Sequence, residues 1–196
     1  MMIPHAKLEE FVRGRASEDV YRHCVATAEM AADLASYHGL DSQRARVAGL
    51  LHDIARSLDE AALIKEAERL GIVPSQLERS SPVLLHARVA ARIAQKEIGI
   101  TDPEILEAIG VHTTGTLGMG ALARVVFVAD YAEPTRDMLG AENVRALLPD
   151  HLDEAVLLVL QNKMDYVKRL GQVPDPRSIQ LRNELVQKEA GGGKHF

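Results

Sequence analysis

Apolar and small side chains recur every three or four residues along most of this chain, and this spacing constrains the fold more than any other feature. It is the period of an amphipathic α-helix, whereas stretches with a β-strand pattern are short. Aromatic residues make up only 4% of the 196 residues, and the frequent Ala, Leu, Glu and Arg favour helices. The sequence therefore predicts an all-α fold.

Capping residues and helix breakers divide the chain into predicted helices. Ser17 and Asp41 are expected as N-caps of two helices that end at Gly39 and near His52. Further helices are predicted over about 59–70, from an N-cap and first position at Ser81-Pro82 to Gly99, from a capping box at Thr101–Glu104 to His112, over 121–131 and over about 152–170. Three glycines make 113–120 a loop.

The length favours one domain with extensions. We divide the chain into an N-terminal extension (1–16), a core (17–140), a C-terminal helical extension that packs on the core (141–188) and a disordered tail (189–196). An apolar stripe on the last long helix is expected to be core or a homodimer face. Its residues are Leu152, Val156, Val159 and Leu160.

The charge balance and the single cysteine limit the function classes. The chain has 23 Lys and Arg against 28 Asp and Glu, a net charge of -5, which argues against a broad nucleic-acid-binding surface. No apolar stretch approaches the roughly 18 residues of a membrane helix, and no signal peptide is visible. Because Cys24 is the only cysteine, no internal disulfide forms. We expect a cytoplasmic protein without a nucleic-acid or membrane partner.

Six polar residues lie in or at the ends of predicted apolar helices, where an unpaired polar group is costly. They are His23, His52, His86, His112, Asp53 and Asp130. Separate hydrogen bonds within the core explain each residue singly. One arrangement explains all six: the helices converge with these side chains inward and bind one or two divalent cations through imidazole nitrogen and carboxylate oxygen.

The order His23, His52-Asp53 and Asp130 resembles that of the HD-domain phosphohydrolases, which share an adjacent His-Asp pair. Four segments make the chain similar to the YqeK-type subgroup: AGLLHDIA (48–55), LLH (84–86), AIGVHTTG (108–115) and VADYAEPTR (128–136). The match is strong over 17–140 and weak over 176–183. The resemblance implies a helical HD-domain bundle and an enzyme that hydrolyses diadenosine tetraphosphate symmetrically to two ADP molecules.

The resemblance also implies roles for individual residues. The primary metal ligands would be His23, His52, Asp53 and Asp130. Iron is the cation usually associated with the subgroup, and manganese, cobalt and zinc also suit nitrogen and oxygen ligands. His86 and His112 would bind a second ion or face the substrate phosphates. Positive charge and a polar donor for the phosphates would come from Arg56, Arg136 and Thr113.

The implied chemistry is metal-assisted hydrolysis of a phosphoanhydride, in which a metal-bound hydroxide attacks a bridging phosphorus. His52 and Asp53 are the catalytic candidates, and Asp53 would orient the water or accept its proton. Two positions depart from the subgroup's pattern. Arg56 stands where lysine is common, and Val20 stands where a basic residue is common.

Three other functions are open on the sequence. The first is another HD-domain activity, such as that of a nucleotidase or a phosphodiesterase. The second is a sensor that binds metal or nucleotide without turnover, although the complete set of six polar residues argues against it. The third is a helical interaction module that docks a partner through the last long helix, which leaves the histidines unexplained.

Overall fold

The computed structural model describes residues 4–192, and over these residues the chain folds into α-helices without a β-strand. The helices are α1 (His5–Arg13), α2 (Glu18–Tyr37), α3 (Ser42–Leu51), α4 (Glu60–Arg69), α5 (Gln76–Ser80), α6 (Leu85–Ile93), α7 (Pro103–Val111), α8 (Ala121–Ala132), α9 (Ala141–Leu147), α10 (Leu152–Arg169) and α11 (Pro176–Gly192). A π-helical turn follows α6. The predicted all-α fold is confirmed.

Local capping signals start α2 and α3 where the sequence predicts. The Ser17 hydroxyl accepts a hydrogen bond from the amide of Val20 at 3.4 Å. The Asp41 carboxylate accepts one from the amide of Gln43 at 2.8 Å. These bonds satisfy amides that have no partner within the helix.

The start of α7 differs from the prediction by one residue. Asp102, not Thr101, is the N-cap, and its carboxylate accepts a hydrogen bond from the amide of Glu104 at 3.0 Å. Pro103 takes the first helical position, where its fixed φ is favourable and its missing amide hydrogen costs nothing. The capping box expected at Thr101 is therefore wrong, because the proline sets the position of the cap.

The segment between α4 and α6 is more ordered than predicted. Ser75 and Glu78 form a capping box that starts α5, with bonds of 3.2 Å and 2.8 Å. The S-x-x-E pattern of this box is visible in the sequence. Ser81 makes no side-chain cap. Pro82 instead opens a 3₁₀ turn, and α6 begins only at Leu85.

Helix α8 lies at the centre of the fold. It packs against α2, α3, α7, α9 and α10, and ten of its twelve residues are buried. A helix that is apolar on all sides is expected to be buried in this way. Asp130 lies near its C-terminal end, so this carboxylate is enclosed by several helices.

Helices α2 and α3 approach each other closely at Gly49. A Cβ atom on Gly49 would lie 2.8 Å from the Cα atom of Ala28 and 3.0 Å from its amide nitrogen. Only glycine fits this approach without a shift of the backbone. The packing brings His23 on α2 next to His52, which directly follows α3.

The C-terminal extension contributes to the core. Val156, Val159 and Leu160 of the apolar stripe are buried against the same chain, with α8 and α11 as neighbours of α10. These three residues of the stripe are therefore core, as one of the two expectations had it, and Leu152 is half-buried. The short helix α9 in this extension is not predicted from the sequence.

The two ends of the described chain are also helical. Leu8 and Val12 of α1 are buried, in a segment assigned above only as an extension. Helix α11 runs to Gly192 and so includes the first part of the predicted disordered tail, whose residues 193–196 lie outside the described residues. Within residues 4–192, no helix combines the length and the hydropathy that crossing a bilayer requires.

Candidate metal centre

The four histidines singled out in the sequence lie together in the interior. His23, His52, His86 and His112 are all buried, and the centroids of neighbouring rings are 4.6–5.0 Å apart. They come from α2, the end of α3, the first turn of α6 and the end of α7. The helices therefore bring these side chains together as the sequence predicts.

The contacts of Nδ1 fix the orientation of each imidazole ring. Three rings donate to the carbonyl oxygen three residues earlier: His52 to Gly49 (2.7 Å), His86 to Val83 and His112 to Ile109 (2.8 Å). The fourth, His23, lies with Nδ1 3.1 Å from Oε1 of Glu133. Because a carbonyl oxygen only accepts, Nδ1 carries the hydrogen and Nε2 of the neutral ring presents a lone pair. This arrangement is typical of histidines that bind metals.

His23, His52 and Asp130 form the first donor group. Nε2 of His23 lies 3.1 Å from Nε2 of His52 and 3.1 Å from Oδ1 of Asp130. His52 Nε2 lies 3.5 Å from the same oxygen. Two ligands that bind one cation at about 2.1 Å and at right angles are separated by about 3 Å. The spacing of these three atoms fits a divalent cation.

His86, His112 and Asp53 form the second donor group. Oδ1 of Asp53 lies 3.2 Å from Nε2 of His86 and 3.3 Å from Nε2 of His112. The two nitrogens are 3.0 Å apart. Asp53 Oδ1 is buried and has no hydrogen-bond partner within residues 4–192, a costly state that a bound cation would relieve.

Asp53 links the two groups. Its other oxygen, Oδ2, lies 3.6 Å from Nε2 of His52 and 3.8 Å from Nε2 of His23. One carboxylate oxygen therefore faces each pair of imidazoles. The structure thus brings the six predicted polar residues together. Among the described residues, His23, His52 and Asp130 are close enough to hold a metal ion, as are His52, Asp53 and His112, and Nε2 of His86 lies 3.2 Å from Oδ1 of Asp53.

Positive charge keeps the two aspartates ionised. Burial by itself raises the pKa of Asp53, but the charge of His52 and the contacts with His112 and His86 together outweigh it and hold that pKa well below its usual value. Burial also raises the pKa of Asp130, and the charges of Lys163 and Arg136 overcome this effect and lower it well below the usual value. Both groups are therefore carboxylates near neutral pH.

The histidines respond differently to burial. Burial lowers the pKa of His112 to about 4, so its ring is neutral near pH 7, the form that binds metals. Burial also lowers the pKa of His52, but the charges of Asp53 and Asp130 and the hydrogen bonds to Asp130 and Gly49 together outweigh it, and the net shift is upward. The Nε2 atom of His52 therefore favours positive charge, either a proton or a metal ion.

Glu133 and Lys163 contact the ligand residues, but the sequence predicted no role at the site for either side chain. Glu133 directly follows α8 and contacts His23. Its position in the sequence could have indicated this role, because Glu133 is an acidic residue three positions after Asp130 at the end of an apolar helix. Lys163 on α10 contacts Oδ2 of Asp130 at 3.3 Å. It had no local signal, because its partner is 33 positions away.

A cavity of about 740 Å³ lies beside the first group. His23 and Asp53 form part of its wall, together with the predicted phosphate contacts Arg56 and Arg136. Arg56 is exposed. Arg136 donates from Nη1 to the carbonyl oxygen of Asp130 at 3.0 Å and to its Oδ1 at 3.1 Å. The cavity thus joins cationic side chains to the metal centre.

Two other positions singled out in the sequence lie as follows. The Thr113 hydroxyl lies 3.1 Å from Nε2 of His86 and 3.2 Å from Nε2 of His112, so it contacts the second donor group and not the cavity wall. Val20 lines the cavity as an apolar residue, and Arg22 adds a further cationic side chain to the same wall. Arg22 thus provides positive charge close to the position where Val20 lacks it.

Comparison with known proteins agrees with this fold. A family model for the HD domain matches residues 20–135, and the chain belongs to the HD-domain family. The resemblance inferred from the motifs is confirmed. Over 177 residues the chain is 36% identical to the symmetrical bis(5'-nucleosyl)-tetraphosphatase of Bacillus subtilis (strain 168). The alignment covers 89% of this chain and 94% of that protein.

Two further relatives extend this similarity. The symmetrical bis(5'-nucleosyl)-tetraphosphatase of Halalkalibacterium halodurans is 32% identical over 183 residues, covering 92% of this chain and 96% of that protein. A crystal structure from Clostridium acetobutylicum, described as a predicted HD superfamily hydrolase involved in NAD metabolism, superposes with a TM-score of 0.90. It is 30% identical, and the alignment covers 96% of this chain and 100% of that one.

Proposed function

We propose that this protein hydrolyses diadenosine tetraphosphate symmetrically to two ADP molecules with the help of divalent cations. The observation that carries the proposal is the position of Asp53, which directs one carboxylate oxygen to each pair of imidazoles and lines a cavity with arginine side chains. The names of the two tetraphosphatase relatives supply the substrate.

We assign the primary metal ligands as His23, His52, Asp53 and Asp130, and the ligands of a second cation as His86, His112 and Asp53. The short distances within the two donor groups and the buried Oδ1 atom of Asp53, which has no hydrogen-bond partner among the described residues, support two cations. Imidazole and carboxylate suit iron, which we propose as the physiological metal, and also manganese, cobalt and zinc. When bound, a divalent cation lowers the pKa of a coordinated water and neutralises charge on phosphoryl oxygens.

The side chains around this centre account for substrate binding. The Arg56 guanidinium is exposed in the cavity, where it can donate two parallel hydrogen bonds to a phosphate. Arg136 uses one nitrogen on Asp130 and retains its other donors for the substrate. Thr113 orients the imidazoles of His86 and His112 through its hydroxyl. The two arginines thus hold the tetraphosphate against the donor groups.

The side chains also account for the bond that breaks. Asp53 lies at the junction of the cavity and both donor groups, so its carboxylate orients the attacking water or accepts its proton. His52 supports it, because its Nε2 atom is 3.6 Å from Asp53 Oδ2. The leaving group is ADP, a weak base through its phosphate, so the reaction needs no strong general acid. We propose that the two halves of the substrate bind on either side of Asp53, so that the central anhydride is the bond cleaved.

The composition supports the proposed setting. A net charge of -5 favours a small nucleotide over a nucleic acid as substrate. A single cysteine, buried as Cys24, is compatible with a reducing compartment. We therefore place the protein in the cytoplasm.

Product analysis tests the proposal. Purified protein is incubated with diadenosine tetraphosphate and ferrous, manganous or cobaltous ion, with a chelator control, and the nucleotides are separated by chromatography. We expect ADP as the sole product and no turnover with chelator or in His52→Ala. His151→Ala, which removes an exposed histidine, is the matched control and should behave as wild type.

Each other outcome identifies a different function. AMP plus ATP contradicts symmetrical cleavage. Turnover of mononucleotides or cyclic nucleotides, with none of the tetraphosphate, indicates another HD-domain phosphohydrolase. Tight binding of metal and nucleotide without any turnover indicates a sensor.

A further inference from the structure

Lys163 reaches the metal centre from outside the segment that matches the HD domain. That match covers residues 20–135, whereas Lys163 lies on α10 in the C-terminal extension. Its ammonium group contacts Oδ2 of Asp130 at 3.3 Å and the carbonyl oxygens of His112 and Thr113 at 3.1 Å and 3.4 Å. The ammonium group of Lys163 therefore contacts residues of both donor groups.

We propose that Lys163 is a positioning residue for the metal centre, through which the C-terminal extension fixes Asp130 and the backbone after His112. The proposal rests on the proposed function, because it assigns Lys163 a role in holding ligands for the same cations. It goes beyond the six polar residues, since Lys163 belongs to neither donor group.

The contacts of Lys163 show how it acts on the first donor group. Asp130 has two equivalent oxygens, and a free carboxylate can present either one. Lys163 holds Oδ2, while Oδ1 faces His23 and His52 and accepts a hydrogen bond from Arg136. Hydrogen bonds that orient a ligating carboxylate commonly change metal affinity or activity by about 10- to 100-fold when they are removed.

The second donor group depends on Lys163 through the backbone. His112 ends α7, and its carbonyl oxygen accepts from Lys163 at 3.1 Å. The next turn is also held by the extension, because the hydroxyl of Ser178 on α11 donates to the carbonyl oxygen of Thr114 at 2.7 Å. Two helices of the extension therefore hold the segment that carries His112 and Thr113.

The surroundings of Lys163 favour contact with the ligand residues over contact with the substrate. Its ammonium lies 4.4 Å from the centroid of the Phe127 ring, a favourable cation–π distance. Its side chain is only 23% exposed. Lys163 is not among the described residues that line the cavity. It is therefore placed to orient ligands and not to bind the substrate.

The test compares Lys163→Met with wild type in two measurements. The first is the visible absorption spectrum of the cobalt-loaded protein, which reports ligand geometry and requires no substrate. The second is the kinetics of diadenosine tetraphosphate hydrolysis. We expect changed cobalt bands and a kcat lowered about 10- to 100-fold with KM within about twofold of wild type.

Two further variants control this comparison. Lys168→Met removes an exposed lysine of the same helix, paired with Asp165 at 3.6 Å, and should leave both measurements unchanged. Lys163→Arg keeps the charge and the donors and should recover a wild-type cobalt spectrum and most of the turnover. If Lys163→Met does not fold by circular dichroism, Lys163→Gln takes its place, with the same changes expected, because it removes the charge at similar length.

The outcomes separate this proposal from the proposed function. A wild-type spectrum and a wild-type kcat in the folded Lys163→Met or Lys163→Gln variant would overturn the role of Lys163. If wild type binds cobalt but cleaves no diadenosine tetraphosphate, the proposed function fails and the spectra alone decide on Lys163. A wild-type protein that binds no cobalt contradicts both.

Discussion

Glu133 and His23 form a buried carboxylate–imidazole pair, with Oε1 of Glu133 3.1 Å from Nδ1 of His23. Glu133 is fully buried and also accepts hydrogen bonds from the amide and the hydroxyl of Thr135, at 2.6 Å and 2.8 Å. A carboxylate held in this way fixes the plane of the imidazole ring. It directs Nε2 of His23 towards Asp130 and His52.

Glu133→Gln should weaken metal binding. The substitution keeps the shape but removes the charge that favours a hydrogen on Nδ1 of His23. We expect a loss of manganese affinity of about 10- to 100-fold, the usual effect of removing such a support, measured by the electron paramagnetic resonance of free manganese. Glu142→Gln, an exposed position on α9, is the matched control. Equal affinities in the two variants would contradict the role of Glu133.

Asp53→Ala should abolish both metal retention and turnover. Asp53 contacts both pairs of imidazoles, so its loss removes a ligand from each donor group. The measurements are the metal content of the purified protein and the rate of diadenosine tetraphosphate hydrolysis. Asp33→Ala, at an exposed site on α2, should retain both. An Asp53→Ala protein with full activity would contradict the assignment of Asp53 as a metal ligand.

Arg56→Met should weaken substrate use without loss of metal. A hydrogen bond to a charged group contributes about 1.5–3 kcal/mol, so we expect kcat/KM to fall about 10- to 100-fold. Arg56→Lys keeps the charge and should retain most of the activity. Arg92→Met, exposed on α6, serves as the control for loss of an arginine. If Arg56→Met shows wild-type kcat/KM, Arg56 does not contact the phosphates.

Gly49→Ala should destabilise the protein because α2 and α3 cannot accommodate a methyl group between them. The added Cβ atom would lie 2.8 Å from backbone of Ala28, and overpacking of this kind costs about 1–3 kcal/mol. Urea unfolding followed by circular dichroism measures the change. Gly110→Ala is the comparison, since its Cβ atom would lie 3.6 Å from the Ala91 side chain, an ordinary contact. Equal unfolding midpoints for the two variants would contradict the close approach.

Acidification should destabilise the chelator-treated protein through His112. Its pKa is lowered to about 4 by burial, so between about pH 6.5 and pH 4 the unfolded state binds more protons than the folded state. The free energy of unfolding therefore decreases as the pH falls through this range.

The other shifted groups of the site do not cancel this effect. The pKa of His52 is raised, so its stabilisation is fully present below about pH 6.5. The pKa values of Asp53 and Asp130 are lowered, and their stabilisation is lost only below about pH 4. Urea midpoints at about pH 7 and about pH 5 should differ less in His112→Gln than in wild type. An equal difference would contradict the assignment to His112.

The features that the sequence predicted correctly are encoded locally. Ser17 and Asp41 cap their own helices through amides two or three residues ahead, so a short window contains the signal. The six polar residues of the site were predictable for a related reason. A histidine or aspartate on an apolar helix requires a partner, and the pattern shows this before the partner is known.

Some features that the sequence did not predict depend on distant contacts. The partners of Lys163 are Asp130, His112 and Thr113, which are 33 to 51 positions away. Lys163 itself lies on an amphipathic helix where a lysine is expected to face solvent. The contacts of the Thr113 hydroxyl with His86 and His112 were likewise not predicted, and its contact with phosphate stays a prediction.

The spread of the donor groups along the chain links metal binding to folding. His23 and Asp130 are 107 positions apart, so an unfolded chain does not present these ligands together. A cation that binds only the native state adds about 2.7 kcal/mol to the free energy of unfolding when its concentration is 100 times the dissociation constant. The melting temperature of the protein, recorded as metal is added, therefore measures the occupancy of the centre without any nucleotide.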